Sequence, residues 1–246
     1  MKIKKILISQ PEPTTGKSPY IDLAKEIGAE VKFQKFIHME GLSAKEFRDQ
    51  RISILSFQAV VFTNRVSVDN YFRLAEAMRC EIPVEMRYFC SSEHVANYLQ
   101  KYIVYRKRKI FYSKNGQLSG LLTEMQRYKD SNKFLVPLSE VHSEELPDML
   151  DENGYDYSVA IMYRTVSSDL SDTNIKEQDL IAFFSPLGVE SLFHNFPDFE
   201  QGDTAIAVFG KGTECAAEKA GLRIDVVAPT AKAPSMKAAL EQYIGI

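Results

Sequence analysis

Short apolar runs rich in β-branched and aromatic residues recur along the chain, and between them apolar positions return every three or four residues. The first pattern suits a buried strand, the second one face of a helix. Strands are predicted at Lys5–Ser9, Val31–Ile37, Ala59–Thr63, Val84–Cys90 and Lys109–Ser113, then at Lys133–Pro137, Tyr155–Thr165, Leu180–Ser185, Thr204–Phe209 and Arg223–Ala228. Helices are predicted over Tyr20–Ile27, Ser67–Met78, Ser92–Tyr102, Leu118–Tyr128, Val189–Asn195, Glu214–Ala220 and Ser235–Tyr243. Gly28 and Gly221 each follow a helical stretch, where a left-handed residue commonly ends the helix. Regular alternation of strand and helix implies an α/β fold of parallel sheets with helices on both faces. Ten strands are many for one open sheet in a chain of this length, so two sheets of about five are expected.

The pattern is also duplicated. An apolar strand ends in a small polar cluster that opens a helix at Phe62-Thr63-Asn64 and Cys90-Ser91-Ser92, and again at Phe184-Ser185-Pro186 and Phe209-Gly210-Lys211. Between the two repeats, Tyr155–Val166 runs without glycine or proline and reads as a strand that leaves one domain and enters the other. The polar stretch Ser167–Asn174 then reads as a surface loop. The predicted organisation is two similar α/β domains joined by two extended connectors. Residues 1–37 plus 167–246 form the first domain, residues 39–161 form an inserted second one, and a cleft lies between them.

Composition adds exclusions. The chain has 246 residues, 45% of them hydrophobic and 26% charged, which suits two modest globular domains. Its opening, Met1–Ser9, carries positive charge but too short an apolar run for a signal peptide, and reads as a buried first strand. No run of about 18 apolar residues marks a membrane span, so a soluble cytoplasmic protein is expected. Three cysteines, Cys80, Cys90 and Cys215, have no C-x-x-C spacing, and His38, His94, His142 and His194 are scattered. Reduced thiols and no metal centre follow. With a net charge of −3, the whole molecule does not attract nucleic acid. The basic run Arg106–Lys109 is either a solvated strand entrance or a patch for an anionic ligand.

The turns carry the candidate chemistry. Unpaired N–H groups at a helix N-terminus, backed by the helix dipole, suit carboxylates and phosphates. Ser185 and Thr213 offer hydroxyls at such turns, and Gly188, Gly210 and Gly212 let the backbone approach a ligand closely. Each turn is either a helix cap alone or an anion subsite. Neither matches G-x-x-x-x-G-K-[ST], and Gly210-Lys-Gly-Thr-Glu-Cys215 lacks the third glycine of a dinucleotide fingerprint. Tyr163 lies at the predicted crossing between domains. A phenol there can donate a hydrogen bond to a leaving hydroxyl, or simply pack in the core.

The order of these motifs resembles the uroporphyrinogen-III synthases over essentially the whole chain. The residues that carry the likeness are Tyr163-Arg-Thr165, Phe183-Phe-Ser-Pro-Leu-Gly-Val189, Gly210-Lys-Gly-Thr213 and Ala217-Glu-Lys-Ala-Gly221. Val227-Ala-Pro-Thr-Ala231 and a final amphipathic helix complete it. The resemblance implies a monomeric, cofactor-free, metal-free lyase of tetrapyrrole and heme biosynthesis. Its substrate would be hydroxymethylbilane, closed to uroporphyrinogen III with inversion of ring D and loss of water. It implies a catalytic role for Tyr163 in the departure of the ring A hydroxyl. Binding of the substrate's carboxylates would fall to Ser185, Pro186, Gly188, Lys211, Gly212 and Thr213, and to Thr63, Asn64, Ser91, Ser92, Ser113 and Lys114, with help from Arg65. The chain departs from the family at Ser9-Gln10-Pro11, where Thr-Arg-Pro is common, at Gly210–Thr213 for G-P-T-T, and at Ser113–Gly116 for an Arg-Gly turn. Gln10 and Lys114 stand where those arginine contacts would be, and neither reproduces arginine's two-pronged grip. The rival reading is a non-catalytic two-lobed binding or sensory protein for a small anion on the same scaffold. A nucleotide-dependent enzyme is a weaker third, for want of a phosphate fingerprint.

Overall fold

The computed structural model describes residues 3–246; the first two residues of the predicted opening segment, Met1 and Lys2, lie outside them. The described residues form eleven strands and nine α-helices. The chain opens with β1 (Lys5–Ile8), α1 (Pro19–Ile27), β2 (Glu30–Phe33) and β3 (Ile37–Gly41). It continues through α2 (Ala44–Asp49), β4 (Ala59–Phe62), α3 (Arg65–Ala77), β5 (Arg87–Cys90) and α4 (Glu93–Tyr98). Next come β6 (Ile110–Tyr112), α5 (Leu118–Met125), β7 (Phe134–Ser139), α6 (Glu145–Glu152) and the long β8 (Tyr157–Ser167). It closes with β9 (Leu180–Phe183), α7 (Pro186–Asn195), β10 (Ala205–Phe209), α8 (Lys211–Lys219), β11 (Val226–Ala228) and α9 (Met236–Ile244).

Two compact units result. One runs to His38 and resumes at Val166, and the other holds Met39–Thr165. The extended segments β3 and β8 carry the chain from one to the other. In the first unit the sheet order is β11-β10-β9-β1-β2, with all pairs parallel. Apart from Lys5 at the start of β1, its inner strands are apolar throughout, and the two-residue period divides them between two helical layers. Ile6, Ile8, Leu180, Ala182, Ala205 and Ala207 pack beneath Leu23 of α1 and Leu240 of α9. Leu7, Ile181, Phe183, Ile206 and Val208 face Val189 and Leu192 of α7 and Ala217 of α8. α1 starts one residue before the predicted Tyr20, with Ser18 as N-cap and Pro19 at the first position, and ends as predicted at Gly28, left-handed at φ 66°.

The second unit orders its strands β3-β8-β7-β4-β5-β6. The ladders from β8 to β6 are parallel. Again the alternation splits the core: Val60, Phe62, Tyr88 and Leu135 join Tyr71 and Leu74 of α3. Val61, Phe89, Phe134 and Val136 join Leu121 and Met125 of α5 on the other face. Among the described residues no helix is long and apolar enough to cross a membrane, and the three cysteines are free.

Three elements differ from the sequence expectation. Val31–Ile37 is two strands, because Phe36 turns fully into the core of the first unit, edge-on to Phe183 at 5.6 Å, and β2 and β3 join different sheets. Helix α2 was not anticipated, although Ser43-x-x-Glu46 is a capping box and both of its bonds form. Helix α6 was hidden by Pro147, which sits in the first turn, where a missing N–H leaves no intrahelical bond unmade.

Candidate active site

In the second unit the parallel strands end in a row of polar turns. At the end of β4, Asn64 has extended backbone angles and caps α3: its Oδ1 accepts the Ser67 N–H at 2.8 Å. Its Nδ2 donates to Thr63 Oγ1 at 3.2 Å and to the Tyr163 hydroxyl oxygen at 3.1 Å. At the end of β5, Ser91 Oγ donates to the Thr63 carbonyl at 2.7 Å and ties the two strand ends together. Ser92, next along, caps α4 by accepting from Val95 N–H at 3.4 Å. Thr63, Asn64, Ser91 and Tyr163 line one open crevice of about 500 Å³. Such crevices beyond the carboxyl ends of parallel strands are the usual ligand sites of α/β sheets.

A break in the β7–β8 ladder puts Tyr163 there. Leu138 pairs with Ile161, but the next residue, Ser139, pairs with Tyr163, so Met162 is extra. In a regular strand Met162 and Tyr163 would point to opposite faces; both pack in the same cluster, with Phe62, Val68 and Tyr71. Tyr163 is 3% exposed, and burial raises the pKa of its phenol, opposed by the hydrogen bond from Asn64. The hydroxyl therefore stays protonated near neutral pH, as a donor must.

In the first unit Ser185 caps α7, its Oγ accepting the Gly188 N–H at 3.1 Å, with Pro186 at the first helical position. A Cβ on Gly188 would sit 3.3 Å from Ser185 Oγ and 3.8 Å from the buried, unpartnered Ser9 Oγ. The turn into α8 differs from the sequence reading. Gly210, at φ 84°, is the N-cap residue, so the helix starts at Lys211 and Thr213 is its third residue, 2% exposed. The left-handed glycine turns the chain early and carries the Thr213 hydroxyl past the capping position. Lys211 Nζ meets Glu214 at 2.9 Å, a surface pair of little strength.

The match to known proteins follows this geometry. A family model described as uroporphyrinogen-III synthase HemD matches residues 18–238. The chain belongs to that family. Its function is the one the family is named for, synthesis of uroporphyrinogen III. No curated protein sequence matches. A solved uroporphyrinogen-III synthetase from Helicobacter pylori is similar in fold at 17% identity and TM-score 0.54, with 99% of each chain covered. A mutant uroporphyrinogen III synthase from Thermus thermophilus aligns at 16% identity over 98% of this chain and 99% of its own, with a TM-score of 0.46.

For a HemD-family chain the distribution of polar groups is informative. The crevice gathers Thr63, Asn64, Ser91 and Tyr163, while Ser92, Ser113 and Lys114 do not line it. Ser113 is 2% exposed, and its hydroxyl turns inward to Asn115 Oδ1 and the Gln117 carbonyl, 2.7 and 2.8 Å away. Lys114 is exposed. Sequence reasoning missed His142 and Ser139, which line the same crevice. His142 Nδ1 lies 2.7 Å from the Ser139 carbonyl, which only accepts, so that nitrogen carries a proton; Nε2 is 3.5 Å from Glu144. Their signal was present: Leu138-Ser139 followed by α6 is one more strand that ends in a polar turn before a helix. Of the basic run, Arg106, Lys107 and Arg108 are exposed, whereas Lys109 is buried with its ammonium on the Val84 carbonyl and the Glu85 carboxylate. Burial also raises the Cys90 thiol far above its usual range, so this cysteine at the end of β5 is not a nucleophile.

Proposed function

We propose that this HemD-family chain works without metal, nucleotide or other cofactor on hydroxymethylbilane, a linear tetrapyrrole, with Tyr163 as the acid that assists loss of the ring A hydroxyl. The observation that supports this role is the protonated phenol beside Asn64 in the crevice at the strand ends. In the reaction the C–O bond of the hydroxymethyl group breaks, and the oxygen leaves as water with the phenol's proton. The resulting azafulvene cation is attacked by the substituted α-carbon of ring D to give a spiro intermediate. That intermediate fragments and recombines at the other α-carbon, whose displaced proton restores the phenol. Net change is loss of one water, with no change in oxidation state.

Without guidance the same chain closes to the type I isomer, so the protein's contribution is mainly orientation. The Thr63–Asn64 and Ser91–Ser92 turns of one unit, and the Ser185–Gly188 and Gly210–Thr213 turns of the other, are the proposed carboxylate contacts. Lys114, Lys211 and Arg65 add charge locally, as a protein with net charge −3 requires. A cytoplasmic monomer that binds neither nucleic acid nor membrane goes with this reading. A non-catalytic anion-binding protein fits family membership less well.

The test is a coupled assay with freshly made hydroxymethylbilane, a chelator present and no nucleotide added, with oxidised products separated by isomer. Predominantly type III product is expected. Type I product alone, at the spontaneous rate and from folded protein, would overturn the proposal.

A further inference from the structure

The Asn64 side chain is committed at both ends, and the two commitments are not independent. Its Oδ1 accepts the Ser67 N–H at 2.8 Å, as the N-cap of a thirteen-residue helix. A backbone N–H can only donate, so the amide's orientation is set by the cap and its NH₂ must lie on the opposite side. That side meets the Tyr163 hydroxyl oxygen at 3.1 Å, while the reverse bond, from the phenol O–H to Oδ1, is long at 3.5 Å. Thr63 Oγ1, at 3.2 Å from the same NH₂, takes its other proton. The phenol oxygen therefore accepts, and its own proton is left free to be donated elsewhere.

We infer that the Asn64 side chain positions the Tyr163 hydroxyl as a hydrogen-bond donor to the crevice, which leaves the carboxylate contact proposed at the Thr63–Asn64 turn to groups other than this amide. The inference rests on the acid role proposed for Tyr163. It assigns Asn64 a second duty. An N–H donated to the phenol oxygen also stabilises the phenolate that forms as the proton leaves, so the bond strengthens as the reaction proceeds. The helix cap supplies the rigidity: turning the amide over would cost the Ser67 bond and leave two donors facing each other.

Asn64→Asp separates these duties. Aspartate caps a helix as well as asparagine does, so α3 is retained. It has no N–H to offer, however, and its second oxygen accepts the phenol proton and withdraws it from the crevice. The expected result is a fall in kcat for type III product of at least about 10-fold with KM changed less than about 3-fold, the pattern of an interaction made in the transition state. In the Tyr163→Phe background the same substitution should add no further loss, because Asn64 acts through the tyrosine. Carbon-13 NMR of tyrosine labelled at the ring carbon bearing the hydroxyl, with Tyr163 assigned by its loss in Tyr163→Phe, should show titration at higher pH in Asn64→Asp than in the parent. Asn64→Ser keeps a capping oxygen without the phenol contact; if the aspartate variant does not fold, the serine variant is used, with the Tyr163 signal expected to change and kcat to fall. An unchanged Tyr163 signal with parental kcat in either folded variant overturns the inference. If Tyr163→Phe itself turns over like the parent, the acid role falls, and the NMR signal still decides whether Asn64 sets the hydroxyl.

Discussion

Ser139 and Tyr163 face each other across β7 and β8 one residue out of step with the pair before them, and Glu140 N–H donates to the Tyr163 carbonyl at 2.9 Å just beyond. The bulge thus re-aims one side chain while the strand stays paired on both sides of it. Because the ring is held by packing with Phe62 and Tyr71, removal of its hydroxyl leaves the core intact. Tyr163→Phe is expected to keep its circular dichroism spectrum and most of its substrate affinity while losing turnover. A general acid contributes about 10²–10⁴-fold, and since the azafulvene forms readily by itself the loss should be at the lower end or less. Single-turnover formation of type III product is the measurement.

Ser185 and Thr213 provide the contrast. Ser185→Ala removes the α7 cap, a bond to Gly188 N–H, and should lower stability by about 1 kcal/mol with type III turnover within a few-fold of the parent. Thr213→Ala acts inside the first turn of α8 at a buried position, and should also leave turnover within a few-fold. Chemical denaturation and isomer analysis of both variants decide the matter. If Thr213→Ala is crippled while Tyr163→Phe is unaffected, the phenol is packing alone.

Gly120 in α5 lies under the loop that holds Ser113. A Cβ there would come 2.6 Å from Ser113 Oγ and would also strike Asn115 Oδ1, itself bonded to Gln117 N–H. Alanine is the better helix former by roughly 0.5–1 kcal/mol, but the overlap falls on a buried serine whose hydroxyl would lose its bonds to Asn115 and Gln117 on moving away. Overpacking of this kind costs about 1–3 kcal/mol, so Gly120→Ala should be net destabilising. Amide exchange at Gln117 should quicken along with the drop in melting temperature. Should Lys114 also contact substrate, KM would rise in the same variant, and Lys114→Ala would reproduce the rise without the loss of stability.

The fold was legible because its strands are buried on both faces: Ala59–Phe62, Leu180–Phe183 and Ala205–Phe209 are apolar throughout, and few other structures accommodate such runs between helical patterns. The boundary between β2 and β3 was not, since Val31–Ile37 sets Val31, Phe33, Phe36 and Ile37 among Lys32, Gln34 and Lys35 with no glycine or proline to mark a break, yet serves two sheets. The cap residues Asn64, Ser92 and Ser185 were readable from residue type. Gly210 was not, because a threonine nearby looked like the cap and only the positive φ reveals otherwise. The direction of Tyr163 depends on the extra residue at Met162, and a bulge leaves no mark in a hydrophobic pattern. His142 carries no signal by residue type alone, because a lone histidine gains meaning only from what it lines.

Glu46 offers a prediction in pH. Its carboxylate accepts from the Ser43 hydroxyl at 2.6 Å and from the Ser43 N–H at 2.8 Å, and Arg164, which also holds Glu40, donates to it at 2.8 Å. The Ser43 bonds, with Arg164 adding to them, lower its pKa from 4.5 to about 2. A lowered folded-state pKa means that these bonds stabilise the protein above the unfolded value, and that the contribution is lost as pH falls through the folded one. The window is therefore pH 4.5 down to about 2. Glu46→Gln should melt below the parent at pH 7, and the gap should narrow through that window and close near its lower end. The side chain is 41% exposed, so salt should narrow the gap as well. Parallel melting curves across pH, at low and high ionic strength, give the test. A gap that stays constant from pH 7 to pH 2 would mean that the capping box, which glutamine largely preserves, holds α2 to the second unit without help from the charge.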